Sequence, residues 1–172
     1  VYDLQDVGCR IYTYVTTLLY LLQAASESQK EIWVLDRPNP AGRAVEGSLL
    51  RSGFESFVGC GPLPMRHGLT VGELARWMVT HFGLSAQLRV VPMKGYRAKS
   101  KPGFGWPQGE IPWVNPSPNI PSVHSTRVYP GTVLLEGTHL SEGRGTTRPF
   151  EIVGGSEFDA EAILQEMKRL SP

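Results

Sequence analysis

Six carboxylates, four arginines, one histidine and two asparagines fall on stretches that read as loops: Asp3, Asp6, Asp36, Glu46, Glu136, Glu142; Arg37, Arg66, Arg144, Arg148; His67; Asn115, Asn119. Carboxylates beside hydrogen-bonding amides and aromatic platforms suit glycoside hydrolysis. That reaction needs an acid to protonate the leaving oxygen and usually a second carboxylate. Two such carboxylates lie about 5 Å apart for retention and about 6.5–9.5 Å apart for inversion. Several arginines suit a substrate that itself carries a carboxylate, through bidentate pairing. Together these residue types point to an acidic sugar. The bland alternative is that the charges pair among themselves and pin loops. Other chemistries lack their signatures. There is no HExxH, and His67, His81, His124 and His139 are widely spaced, so no metal site is expected. No G-x-S-x-G elbow or P-loop occurs. Gly59-Cys-Gly61 is not a dinucleotide fingerprint, because the third glycine and the following helix are missing.

The densest group is the segment Glu136-Gly-Thr-His139-Leu-Ser-Glu142-Gly-Arg144-Gly-Thr-Thr-Arg148-Pro149. The apolar run Val133-Leu134-Leu135 before it reads as a short buried strand, and the glycines around Arg144 let the backbone take unusual conformations. A glycine-rich charged loop at a strand end is a common way to build a site on a rigid scaffold.

The elements that would carry the other loops are readable in order. Val1 to Val7 alternates and predicts a strand leading to Asp3, Asp6 and Arg10. Ile11 to Ser28 predicts a helix with a wide leucine face, and Glu31–Leu35 a second strand. Strand, helix, strand implies a parallel sheet. Ligands of parallel sheets bind outside the carboxyl ends of the strands, which puts Asp3 and Asp6 on one edge with Asp36, Arg37 and Asn39. Leu49 to Pro64 reads as irregular. Thr70-Val-Gly-Glu73 is a capping box opening a helix that Gly83 closes, so Arg66 and His67 precede a helix N-terminus, where anions are favoured. A lone histidine is more often structural, and His81 in the last turn suits the helix dipole. Gln87–Pro92 predicts a third strand. Lys94–Trp106 is basic and aromatic, which fits a sugar-stacking or structural loop better than a nucleic-acid surface. Four prolines between Ile111 and Pro121 exclude regular structure and hold Trp113, Asn115 and Asn119 in fixed directions. A helix is expected from about Asp159 to Leu170.

Composition sets the bounds. The chain has 172 residues, 41% of them hydrophobic, and a net charge of +1. That supports a real core and gives no general attraction to nucleic acid or an anionic membrane. The 19 glycines and 14 prolines cluster and read as long structured loops. Cys9 and Cys60 read as isolated thiols. No apolar run is long enough to insert into a membrane, and no export signal is visible. Val1 looks like a strand already under way and Pro172 like an abrupt stop, so a fragment of a longer protein is the expectation.

Read as a set, the loops carry a resemblance. Tyr2-Asp-Leu-Gln-Asp-Val-Gly8 with Tyr12-Thr-Tyr14, Leu35-Asp-Arg-Pro-Asn-Pro40, Val45-Glu-Gly47, Arg66-His-Gly-Leu-Thr-Val-Gly-Glu-Leu74, Pro112-Trp-Val-Asn-Pro-Ser-Pro-Asn119, Tyr129-Pro-Gly-Thr132 and Glu136-Gly-Thr with Ser141-Glu-Gly-Arg-Gly-Thr-Thr147 occur in one order. This closely resembles the bacterial exo-β-N-acetylmuramidases (NamZ-like), over nearly the whole chain.

The resemblance implies an α/β protein: part of a Rossmann-like parallel sheet (residues 1–110), then the start of a smaller α+β domain (residues 111–172), with a cleft between them. It implies removal of N-acetylmuramic acid from the non-reducing end of peptidoglycan fragments in cell-wall turnover, without cofactor or metal, at the bacterial cell envelope or outside the cell. The expected partners are muramyl sugars, not nucleic acid. On that reading Glu142 and Asp6 are catalytic carboxylates and His67 polarises or shuttles a proton. Asp36, Arg37, Asn39, Arg66, Asn115, Asn119 and Arg144 hold the sugar. Two departures stand out. The family's upstream Glu-His-Gly motif is absent, and His139 replaces a usual Asn. The alternative is a muramyl-sugar or peptidoglycan-binding module that is inactive alone.

Overall fold

The computed structural model describes residues 1–97, 105–107 and 109–171. The basic aromatic stretch expected over Lys94–Trp106 therefore lies partly outside the described residues.

The regular elements are α1 (Tyr14–Glu27), β1 (Glu31–Leu35), β2 (Glu46–Leu49), β3 (Pro64–Arg66), α2 (Val71–His81), β4 (Gln87–Val91), α3 (Val123–Thr132), a 3-10 turn (Val133–Gly137) and α4 (Ala160–Leu170). Strands β1 and β4 pair in parallel, Glu31 against Gln87 through Leu35 against Val91. The predicted first strand is reduced to a single parallel bridge. Tyr2 donates its N–H to the Trp33 carbonyl (2.7 Å) and accepts from the Leu35 N–H (3.0 Å). The chain then leaves the sheet, because Asp6 and Gly8 draw it into a turn. The α/β class and the parallel sheet are as the sequence indicates.

Helices α1 and α2 cover one face of this sheet. Leu18, Leu22, Leu74 and Met78 are fully buried there against Ile32 and Val34. Burial of each such side chain stabilises by about 1.5–3 kcal/mol. On the other face Trp33 is half-exposed and carries the Arg89 guanidinium 4.7 Å above its ring. A second apolar cluster joins distant parts of the chain: Val7, Cys9 and Met65 pack with Ile120, Tyr129, Val133 and Phe150.

Three elements differ from expectation. Val133–Leu135 is a helical turn, with Val133 buried and Leu134 61% exposed, so the run serves one contact and not a sheet. Tyr129-Pro-Gly-Thr132 closes α3, whose Ser122 cap accepts from the Ser125 N–H. At the two ends of the stretch read as irregular, β2 and β3 pair antiparallel and β3 also bridges to Cys9. The α2 capping box forms in full: the Thr70 side chain accepts from the Glu73 N–H and Glu73 accepts from the Thr70 N–H.

Glu73 links that cap to pH. Burial opposes its charge, but the Thr70 N–H, the Tyr96 hydroxyl and Arg43 outweigh it and hold the carboxyl below its ordinary 4.5. A folded-state value below the unfolded one gives stability that is present above the unfolded value and lost as pH falls through the folded one. Replacing Glu73 with Gln is therefore expected to lower stability at pH 7 and to flatten its decline below about pH 4.5, measured by urea unfolding between neutral and acid pH.

Candidate functional site at the carboxyl edge

The loops after Tyr2, after β1 and after β3 meet at the carboxyl edge of the sheet. Gly8 makes the first turn, at φ +80°, and a Cβ there would lie 2.3 Å from Asn39 Oδ1 and 2.7 Å from the Ala41 Cβ. Asn39, 2% exposed, accepts from the Ala41 N–H (2.9 Å) and donates to the Leu69 carbonyl (3.0 Å). His67 donates its backbone N–H to the Gly8 carbonyl (3.4 Å).

Inside this knot lies a buried acid–imidazole pair. Asp6 is 5% exposed and His67 2%. Asp6 Oδ2 accepts from the Gly8 N–H (2.8 Å) and sits 3.3 Å from His67 Nε2. His67 Nδ1 accepts from the Leu69 N–H (3.2 Å), so in the neutral ring the proton resides on Nε2, facing Asp6. Neither Asp6 Oδ1 nor His67 Nε2 makes a hydrogen bond of good geometry with a described residue. Buried polar groups are normally satisfied, so these two atoms are exceptions.

Phenols surround the pair, and sequence reasoning did not single them out as site residues. Burial, then Asp6 and neighbouring tyrosines, push the Tyr2 hydroxyl up. Burial, then Tyr14 and Asp6, do the same for Tyr12. For Tyr129, burial acts with Cys9, Glu136 and Asp6, while Arg144 pulls the other way. Each therefore stays a proton donor at neutral pH. Tyr129 thus feels the charges of both Asp6 and the Glu136–Arg144 pair. The sequence trace of this was that Tyr2, Tyr12 and Tyr129 all fall within the shared loop motifs.

Glu142 is 6% exposed and accepts from Arg144 Nε (2.9 Å). Arg144 also reaches Glu136, making a three-membered cluster. Gly143 and Gly145 both take positive φ, as the glycine-rich loop implied.

Other predicted residues have their polar atoms committed within the protein to differing degrees. Asp36 accepts from the Gly72 N–H (2.8 Å), the Arg37 N–H (3.0 Å) and the Thr70 hydroxyl (3.1 Å), so it anchors the α2 N-terminus. Arg66 pairs with Glu46 (2.7 Å) and donates to the Ala41 carbonyl. Arg37 pairs with Asp3 (2.6 Å), both partly exposed, on the wall of a cavity of ≈ 750 Å³ that also meets Lys94, Tyr96, Trp106 and Glu110. Asn115 is exposed and Asn119 half-buried, and neither side-chain amide is tied to a described residue. The proline segment holding them is fixed by Tyr14, which donates to the Pro116 carbonyl (3.2 Å), and by Trp113, which donates to the Ile120 carbonyl (3.3 Å). Among the described residues no group of three or more His, Cys, Asp or Glu could hold a metal ion.

Residues 1–124 match the family model described as exo-β-N-acetylmuramidase NamZ, N-terminal, and residues 127–172 match its C-terminal counterpart. The chain belongs to the NamZ family. It is 48% identical over 170 residues to the peptidoglycan β-N-acetylmuramidase NamZ of Bacillus subtilis, covering 98% of this chain and 40% of the relative. Two crystal structures of DUF1343 family proteins from Bacteroides fragilis are similar, each 39% identical. The first has a TM-score of 0.88 over 98% of this chain and 44% of its own, the second 0.77 over 88% and 42%. The chain thus spans less than half the length of the relatives it matches.

Asp36 separates a structural from a ligand role. Asp36→Ala leaves the Gly72 N–H and Thr70 hydroxyl without their acceptor and is expected to destabilise the fold by about 1–3 kcal/mol. Denaturant unfolding reads that loss. A muramic-acid affinity that falls at unchanged stability would instead make Asp36 a ligand contact.

Proposed function

We propose that this chain supplies much of the site of a glycoside hydrolase that removes N-acetylmuramic acid from the non-reducing end of peptidoglycan fragments. The family membership supports the reaction class. The observation that carries the reading is the buried Asp6–His67 pair, with unsatisfied polar atoms, set among three phenols at the carboxyl edge of a parallel sheet. Asp6 and Glu142 are the proposed catalytic carboxylates. His67, whose Nε2 proton faces Asp6, relays or stabilises charge as protonation changes at that carboxylate. The hydroxyls of Tyr12 and Tyr129 donate to developing negative charge. Arg37, Asn115, Asn119 and Arg144 contact the sugar, whereas Asp36, Asn39 and Arg66 position the loops. The division into a Rossmann-like part (1–110) and a smaller part (111–172), and a place at the cell envelope or outside the cell, belong to the same proposal.

A second reading is that the chain binds muramyl sugars without cleaving them. Its short span, 40% of the Bacillus subtilis relative, favours that for the isolated chain. Release of N-acetylmuramic acid from the MurNAc–GlcNAc disaccharide separates the two, with the Bacillus subtilis protein as the reference. The hydrolase reading expects release by this chain and a fall of about 10²–10⁴-fold in Asp6→Asn. Release by the reference alone, with saturable binding of the sugar to this chain by calorimetry, would favour the binding module.

A further inference from the structure

A second polar site lies beside β2 and β3. A groove of ≈ 440 Å³ is walled by Arg10, Arg66 and Arg127 and by the apolar residues Ile11, Val128 and Leu134. Its one carboxylate, Glu46, is already paired with Arg66. Arg10 is 8% exposed and reaches no carboxylate among the described residues. It donates to the Ser48 and Leu63 carbonyls and the Met65 sulfur, and its Nε has no acceptor among them. The Arg66 Nε is buried without an acceptor as well. Burial draws the Arg10 guanidinium below its ordinary value, which a carboxylate neighbour would have opposed. Arg127, exposed on α3, makes no hydrogen bond or ion pair with a described residue. Three guanidinium charges thus share one groove with one carboxylate. An uncompensated buried cation such as Arg10 is unfavourable, and an anion in the groove relieves it.

We propose that this groove binds the carboxylate of an acidic sugar substrate, separately from the Asp6–His67 pair. Guanidinium groups recognise carboxylates with paired N–H donors, and the apolar wall accepts the short aliphatic carbon next to the acid. In a muramyl substrate that acid is either the free lactyl group or, when the lactyl group is amidated by a peptide, the peptide's terminal carboxylate. The proposal rests on the muramyl-substrate reading above. The groove joins residues of both family-matched segments, Arg10 and Arg66 from the first and Arg127 to Leu134 from the second. Carboxylate binding would therefore bridge them.

The test is calorimetry of this chain with N-acetylmuramic acid, its lactyl methyl ester, a muramyl dipeptide with a free terminal carboxylate, the dipeptide amide, and D-lactate. Arg127→Gln removes an unpaired surface charge, and its melting temperature is expected to match the parent. Arg76→Gln makes the same charge change elsewhere on the surface. The expected result is a loss of about tenfold in affinity for the acid forms in Arg127→Gln alone, with little effect on the ester or amide. Loss confined to muramic acid assigns the lactyl carboxylate, and loss confined to the dipeptide assigns the peptide terminus. Equal affinity in parent and Arg127→Gln, or ester binding as tight as acid binding, overturns the proposal. Arg127-dependent binding of D-lactate with no binding of any muramyl probe upholds the carboxylate site and sinks the muramyl reading instead.

Discussion

The close approach of Gly8 to Asn39 is the constraint on which the carboxyl edge depends. With no Cβ, Gly8 turns at positive φ directly against the Asn39 amide. That amide is at once acceptor for its own loop and donor to the Leu69 carbonyl. One small residue and one buried amide therefore fix three loops that are remote in sequence. A side chain at Gly8 would meet both steric overlap and an unfavourable backbone conformation, and the loops would part. Asp6 lies two residues before this turn and His67 lies on its partner segment, so their 3.3 Å approach follows from the packing of Gly8.

The same edge is tied to the helix layer by Asp36. At the end of β1 its carboxylate accepts from the first turn of α2, where the N–H groups lack intrahelical partners and the dipole favours an anion. Gly72 makes this possible by letting α2 sit against the sheet: a Cβ there would lie 2.6 Å from Val90 and 2.8 Å from the Asp36 carboxyl carbon. The site loops thus hang from a helix end that is itself fastened to the strand. Side chains there are pre-positioned without moving parts, which is what electrostatic stabilisation of a reaction requires.

How far the sequence could be read follows the range of each signal. The α2 capping box, β1, β4 and α4 are local, and each carries its own caps or alternation, so they stand where the residues put them. Helix α3 was hidden because Pro130 lies within it. A proline near the end of a helix forfeits one hydrogen bond, and the Ser122 cap and the burial of Tyr129 and Val133 outweigh that loss. Three apolar residues, Val133 to Leu135, do not distinguish strand from helix by period. Strand β2 is wholly exposed and so shows no alternation. The edge rule for parallel sheets brought Asp6 and Asp36 to one region, but residue type cannot show whether a polar atom is already used. Asp36, Asn39 and Arg66 proved committed to the backbone or to a neighbour. Asp6 kept an oxygen free, and only coordinates reveal that difference.

The environment of Asp6 also narrows the chemistry. Cys9 lies close by and is the one soft nucleophile near the pair. Burial, with a further push from Asp6, raises its thiol to about 12 against the pull of the Ile11 and Tyr12 amides and Arg10. A thiol in that state carries almost no thiolate at neutral pH and is inert as a nucleophile. The phenols around it are held protonated by the same burial. The other functional groups beside Cys9 and the phenols are the Asp6 carboxylate and the His67 imidazole, 3.3 Å apart. Carboxylates with phenols as donors and guanidinium groups would suit acetal cleavage in an acidic sugar, the reaction proposed above. Asp6 Oδ1 has no hydrogen-bond partner among the described residues, an uncommon state for a buried carboxylate oxygen.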